Sequence, residues 1–236
     1  MPAPTAPISP PASKAARAAR ALAAAAALFA LAPGAHAAFV TVEFTGFHQG
    51  SASVPIVYKS ASSSVTAGEL NLKIDSLPFT SFCVDLDQHI GWATYSNTYT
   101  LDDASLYFNG NQLDEFARLF SSHLTDVNGP QGSAINSAAF QVAVWEITYD
   151  GAGGLGALNL GAGNFRDTDL APGTAGAVAS GWLAGLGNQS PGAWKFQVLH
   201  SPSYQDQLIA NVPGPATLPL LAASLVGWGI ARRRRR

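Results

Sequence analysis

The run AAFQVAVWEITYD, Ala138 to Asp150, decides how this chain is read. Helical spacing runs through Ile135, Ala138, Val142 and Trp145, and Ser133 stands where a side-chain oxygen would cap the first turn. On that helix Ala138, Gln141, Val142 and Trp145 share one face at i, i+3, i+4 and i+7. A carboxamide is thereby directed inward beside a tryptophan. A buried carboxamide needs partners for both its carbonyl and its NH₂, or it costs a few kcal/mol.

Working outward, NQLDEFARLFSSHL repeats Leu113, Phe116, Phe120 and Leu124 at steps of three and four, predicting an earlier helix. DGAGGLGALNLGAGNF reads as a Gly-rich loop, AGAVASGWLAGL as a short third helix and WKFQVLH as a last strand. The N-terminal part has strand character. FVTVEFTGF alternates, with Val40, Val42 and Phe44 on one face, and VPIVYK, LNLKIDSL, FTSFCVDL and TYSNTYTLDDASLY continue the pattern between Ser- and Gly-containing turns. There is no internal repeat. The expected fold is α+β: an antiparallel, barrel-like body with a helical insertion.

The ends differ from this body. Lys14, Arg17 and Arg20, the apolar stretch Ala21 to Ala32, and Ala35-His36-Ala37 have the order of a secretory signal, with cleavage expected between Ala37 and Ala38. At the other end come Val212-Pro213-Gly214-Pro215, an apolar segment from Ala216 to Ala231, and five arginines. As a helix the apolar segment would span roughly 24 Å against a hydrocarbon core of about 30 Å. The arginines would stay cytoplasmic and leave the body outside. A simple tail anchor is the alternative reading. Three segments follow: residues 1–37, a domain at 38–211 and a tail at 212–236. All fifteen acidic residues but only Lys59, Lys73, Arg118, Arg166 and Lys195 of the thirteen basic ones lie in the domain, a net charge of −10. An acidic body is unsuited to nucleic acid.

Cys83 is the single cysteine, so an intramolecular disulfide is impossible. A small buried hydrophobe is its simplest role. Extended as a strand, FCVDLD would put Phe82, Val84 and Leu86 on one face and Cys83, Asp85 and Asp87 on the other. Were Cys83 to meet Gln141, its sulfur could attack the side-chain carbonyl, expel ammonia and leave an internal thioester. That bond would need shielding from water, and would capture an amine such as a partner's lysine. Asp85, Asp87 and Glu146 are further candidates for the polarity around it.

Two resemblances bear on this reading. FCVDLDQ followed by FQVAVWEITYD resembles the Cys-Gln thioester domains of bacterial surface proteins, which pair a strand cysteine with a Gln-x-Ala-Ile-Trp type motif. Here that motif is Gln141-Val142-Ala143-Val144-Trp145, with Val144 in the Ile place and Phe140 where the adhesin form often has Thr. The tail resembles the PEP-CTERM sorting signal of exported Gram-negative proteins, with Gly214 in the Glu place. Together they imply an inner-membrane-anchored precursor, an exosortase-type sorting enzyme as partner, and delivery to the cell surface or matrix. They imply covalent attachment to an amine-bearing surface or matrix molecule rather than enzymatic turnover, with no cofactor.

Other readings stay open. A cysteine hydrolase needs a histidine base, and His89, His123 and His200 are available; on a continuous strand His89 would lie about 20 Å from Cys83. The pairs Asp85 and Asp87, Asp102 and Asp103, and Asp167 and Asp169 offer oxygen ligands but match no calcium loop, and no zinc site is expected. GAGGLG lacks the lysine of a phosphate-cradling loop. Trp92, Trp145, Trp182 and Trp194 are read as core rather than as a sugar-stacking face. The main rival is a structural exopolysaccharide or biofilm matrix protein with a free, buried cysteine.

Overall fold

A computed structural model describes residues 39–211. The cleavage site at Ala37 and Ala38, the motif Val212 to Pro215 and the apolar, arginine-tipped tail fall outside the described residues. Strand β1 (Phe39–Phe47) buries Val42 and Phe44 and sends Glu43 outward to Lys73, as its alternation demands. There follow β2 (Ala52–Tyr58), β3 (Ala61–Ala67), β4 (Leu70–Ile74), β5 (Leu77–Cys83) and β6 (Thr94–Asp103). Helices α1 (Gly110–Asn128) and α2 (Ala134–Asp150) come next, then β7 (Phe165–Asp167), α3 (Ala175–Gly185), β8 (Lys195–His200) and β9 (Gln207–Asn211).

Six strands form a closed antiparallel barrel in the order β1-β4-β5-β9-β8-β6, with β6 returning to β1. Closure leaves this sheet no unpaired edge. A second sheet has the order β3-β2-β7. The fold is therefore α+β, a barrel with a helical insertion.

The barrel wall is apolar on both sides. Val42, Phe44, Leu72, Tyr99, Leu199 and Ile209 form a small core. Phe82, Val198 and Leu208, joined as cross-strand pairs, belong instead to a larger core shared with the helices and the small sheet. Because side chains alternate along a strand, neighbouring residues such as Val198 and Leu199 serve the two cores in turn.

Helix α2 is the centre of the larger core. Every residue from Ser137 to Ile147 is buried, so the helix is apolar nearly all round rather than amphipathic. Ser133 caps it by accepting a hydrogen bond from the Asn136 backbone at 3.1 Å. Helix α1 starts with a reciprocal capping box between Asn109 and Gln112. Three phenylalanines lock these elements to the barrel: the Phe82 and Phe140 rings lie 4.5 Å apart, with Phe120 of α1 at 5.8 and 4.9 Å from them. Burying each ring contributes about 2–3 kcal/mol. The immediate neighbours of Phe82 and Phe140 are Cys83 and Gln141, so this packing sets the site.

Several local expectations are corrected. FCVDLD does not continue as a strand: β5 stops at Cys83 and the chain turns. LNLKIDSL is a hairpin, because Asp75 and Ser76 take left-handed conformations (φ 48° and 73°), and Asp75 then accepts a hydrogen bond from the Thr41 backbone. Lys59 and Ser60 make a like turn between β2 and β3. The serine-rich stretch from Ala61 is strand β3, not turn, because its backbone pairs along β2 while most of its small side chains face solvent. Strands β7 and β9 were not anticipated; both are short and are defined by their partners. The Gly-rich loop contains two 3₁₀ turns and is tied to α2 by Asp150, whose carboxylate accepts from the Asn164 and Phe165 backbones.

Candidate functional site

The structure brings Cys83 and Gln141 together across the seam between β5 and α2. The Cys83 N–H donates to Gln141 Oε1 at 2.8 Å, and Gln141 Nε2 donates to the Cys83 carbonyl, also at 2.8 Å. The carboxamide therefore pairs with the backbone of one residue through both its polar atoms. This arrangement also serves the backbone. As β5 ends, Cys83 needs partners for its own N–H and C=O, and a neutral amide supplies one acceptor and one donor.

One turn further on, Trp145 Nε1 donates to Cys83 Sγ at 3.4 Å. The sulfur also donates to the Asp85 carbonyl at 3.0 Å and receives the Asp85 N–H at 3.4 Å, so the turn after β5 wraps around it. A further turn along α2, Tyr149 accepts the Leu86 N–H at 2.7 Å. Gln141, Trp145 and Tyr149 thus form one stripe at i, i+4 and i+8, each holding a different point of the segment 83–86. Tyr149 was missed in the sequence, although its fourfold spacing from Trp145 carried the signal.

Cys83 is buried, and burial pushes its thiol up to about 12, with the Trp145 N–H and the Asp85 backbone pulling against that rise. At neutral pH the group is a thiol. Activated cysteines sit instead in electropositive, partly exposed settings that favour the thiolate.

The remaining predicted residues separate. Asp85 stays beside the sulfur through its backbone, while its carboxylate accepts from the Asp87 N–H and is pushed up by burial. Asp87 turns away to the surface, where Lys59 holds its carboxyl below the usual range and Tyr58 adds a hydrogen bond. Asp87 does not reach the Cys83–Gln141 pair. Neither does Glu146, which follows Gln141 by five residues, about 140° round the helix. It is fully buried on another face, where it accepts from the Asn159 backbone. Phe140 is a core residue packed on Phe82 and Phe120, so it contributes no polarity to the site.

A cavity of about 360 Å³ opens against the pair. Cys83, Gln141 and Trp145 form part of its wall, with Gln88, His89 and Gln205 supplying polar surface and Phe47, Leu70, Ile90 and Trp92 apolar surface. His89 therefore lines the same cavity as Cys83 rather than continuing its strand, because that strand ends at Cys83. His123 stacks on Trp182 and pairs with Asp126, and His200 pairs with Asp206; neither lines the cavity.

Among the described residues no three His, Cys, Asp or Glu side chains converge as metal ligands, and no helix is long and apolar enough to cross a membrane. Compared with known proteins, the chain matches no family model, no curated protein and no solved structure.

Proposed function

We propose that this is an exported surface protein whose domain forms an internal Cys83–Gln141 thioester and uses it to attach covalently to amine-bearing partners, in adhesion or a biofilm matrix. The observation that supports it is the double hydrogen bond between the Gln141 carboxamide and the Cys83 peptide, made at 2.8 Å on each side next to the thiol. The Cys83 N–H polarises the carbonyl that the sulfur would attack, as an oxyanion-hole donor does. In the bond-forming step the S–H and C–N bonds break, the S–C bond forms, and the thiol proton leaves on ammonia. Burial shields the product from hydrolysis. The bond is made once and consumed once, so the protein binds rather than turns over substrate. Export, anchoring of a precursor at the inner membrane and exosortase-type processing belong to this proposal through the terminal segments.

A second reading keeps one observation on its side. The carboxamide is already satisfied by the Cys83 peptide, so a free, buried thiol and an unmodified Gln141 would make a stable core for a structural matrix protein. Intact mass separates the two. The purified protein in amine-free, non-reducing buffer is expected to weigh one ammonia less than its sequence and to gain methylamine when that is added. Cys83→Ala is expected to have its full mass and gain nothing. A full-mass wild type with an alkylatable Cys83 would leave the matrix reading.

A further inference from the structure

The cavity beside the pair carries two groups that the bond itself does not use. Gln88 belongs to its wall, and among the described residues the buried Gln88 Oε1 has no hydrogen-bond partner. His89 is the one ionisable side chain besides Cys83 in the wall, and among the described residues its ring makes no hydrogen bond. Both are held in place through their backbones, since the Gln88 carbonyl accepts from Gln205 Nε2 at 3.2 Å and the His89 carbonyl from the Gln205 N–H at 3.4 Å. Among the described residues no carboxylate lines the cavity. Of the nearby acids, Asp85 is engaged with the Asp87 backbone, Asp87 with Lys59 and Tyr58, and Asp206 with His200 and the Ser201 backbone, while buried Glu69, between the wall residues Gly68 and Leu70, accepts from Asn128 Nδ2.

An alkylammonium entering this space meets a wall of mixed polarity, an unpartnered amide oxygen and, among the described residues, no counter-ion. Its nitrogen must shed a proton before it can attack a thioester, because only the neutral amine has a free electron pair. We infer that Gln88 and His89 receive the nucleophile: Gln88 Oε1 accepts an N–H of a primary amine, and His89 takes the proton that this amine must lose. The inference rests on the thioester reading above. In the step, the amine nitrogen bonds to Gln141 Cδ as the Cδ–Sγ bond breaks. The electron pair leaves on Cys83 Sγ, which is reprotonated by the His89 imidazolium. A thioester and an amine become an amide and a thiol. Trp92, 59% exposed and packed edge-on against Phe47 at 5.4 Å, offers an aromatic face to the cation on its way in. Lysine-like primary amines meet these demands; a guanidinium, which keeps its proton, does not.

The test compares the purified wild type with His89→Gln and Gln88→Leu, using n-butylamine as probe from about pH 6 to about pH 9. Intact mass is read first without amine and then against time. All three proteins are expected to begin with the ammonia deficit. His89→Gln is expected to capture the amine about 100-fold more slowly and with a rate that follows only the free-amine fraction as pH rises. Gln88→Leu is expected to slow capture about tenfold without altering the pH profile. Capture by His89→Gln at the wild-type rate and with the wild-type pH profile overturns the assignment. Loss of the deficit in His89→Gln alone also overturns it, because His89 would then act in making the bond and not in opening it. A wild type without the deficit removes the thioester reading itself, and this inference with it.

Discussion

Helix α2 carries two buried polar groups that are treated in opposite ways. Gln141 faces β5 and has both its polar atoms paired at 2.8 Å. Glu146 is equally buried and leaves Oε2 without a partner, and Glu115 of α1, also buried, leaves both carboxylate oxygens unpaired. Burial pushes Glu146 up to about 8, aided by Asp150, and pushes Glu115 up to about 8, aided by Asp114 and Glu146 itself. Among the described residues no cation pairs with either carboxylate. A neutral amide can be satisfied at a strand end by the backbone of a single residue, whereas a carboxylate in the same core has to hold a proton to stay there. One end of the helix is fixed by geometry at all pH values, and the other is fixed only while it is protonated.

Breaking the amide side should have the largest effect. On a Cys83→Ala background, where the carboxamide is intact, Gln141→Leu fills the space but leaves the N–H and C=O of residue 83 buried and unpaired, so about 3 kcal/mol of stability should be lost. A lower urea midpoint at constant slope would register this. A midpoint like that of Cys83→Ala alone would mean that this backbone finds other partners.

The carboxylate side should answer to pH. A carboxyl whose folded value is raised holds a proton that the unfolded chain releases, so stability is complete below the ordinary value of 4.5 and is lost as pH rises toward about 8. Unfolding midpoints measured across that window should fall with pH in the wild type. In the double variant Glu115→Gln, Glu146→Gln the slope should flatten, leaving it about 2 kcal/mol more stable than the wild type above the window. Since the two groups interact, the slope belongs to the pair and not to either residue. A wild-type slope unchanged in the double variant would move the effect to other groups.

The smallest effect should come from the acid that lies near Cys83 in sequence but not in space. Asp87→Asn removes a solvent-exposed ion pair with Lys59, and such pairs contribute little. Its unfolding midpoint and its ammonia deficit should both match the wild type. A loss of the deficit would return Asp87 to the site.

Much of the helical insertion was legible because its signals are local. The 3.6-residue period, the Ser133 cap and the i, i+4 relation of Gln141 to Trp145 need no distant partner to be read. Alternation likewise marked β1. Strand β3 was hidden because serines on a solvent-facing strand leave no apolar pattern, and β9 because a five-residue strand acquires its identity from pairing with β8 and β5. The extension of β5 into FCVDLD failed for a related reason. Alternation continues past Cys83 in the sequence, but the ladder that would support it does not.

By itself, then, the sequence determined the class of the fold, the acidic body between unlike ends, and the two residue types that meet at the site. Only the tertiary structure decided which of the nearby polar residues belong there. Asp87 and Glu146 are as close in sequence to Cys83 and Gln141 as the useful neighbours are. A turn carries the first away to Lys59, and the helical twist carries the second to another face. Tyr149 and His89 enter because the same twist and the same turn bring them in. Periodicity is a property of one segment, whereas a site is set by where two segments cross. Here the packing of Phe82 on Phe140 fixes that crossing.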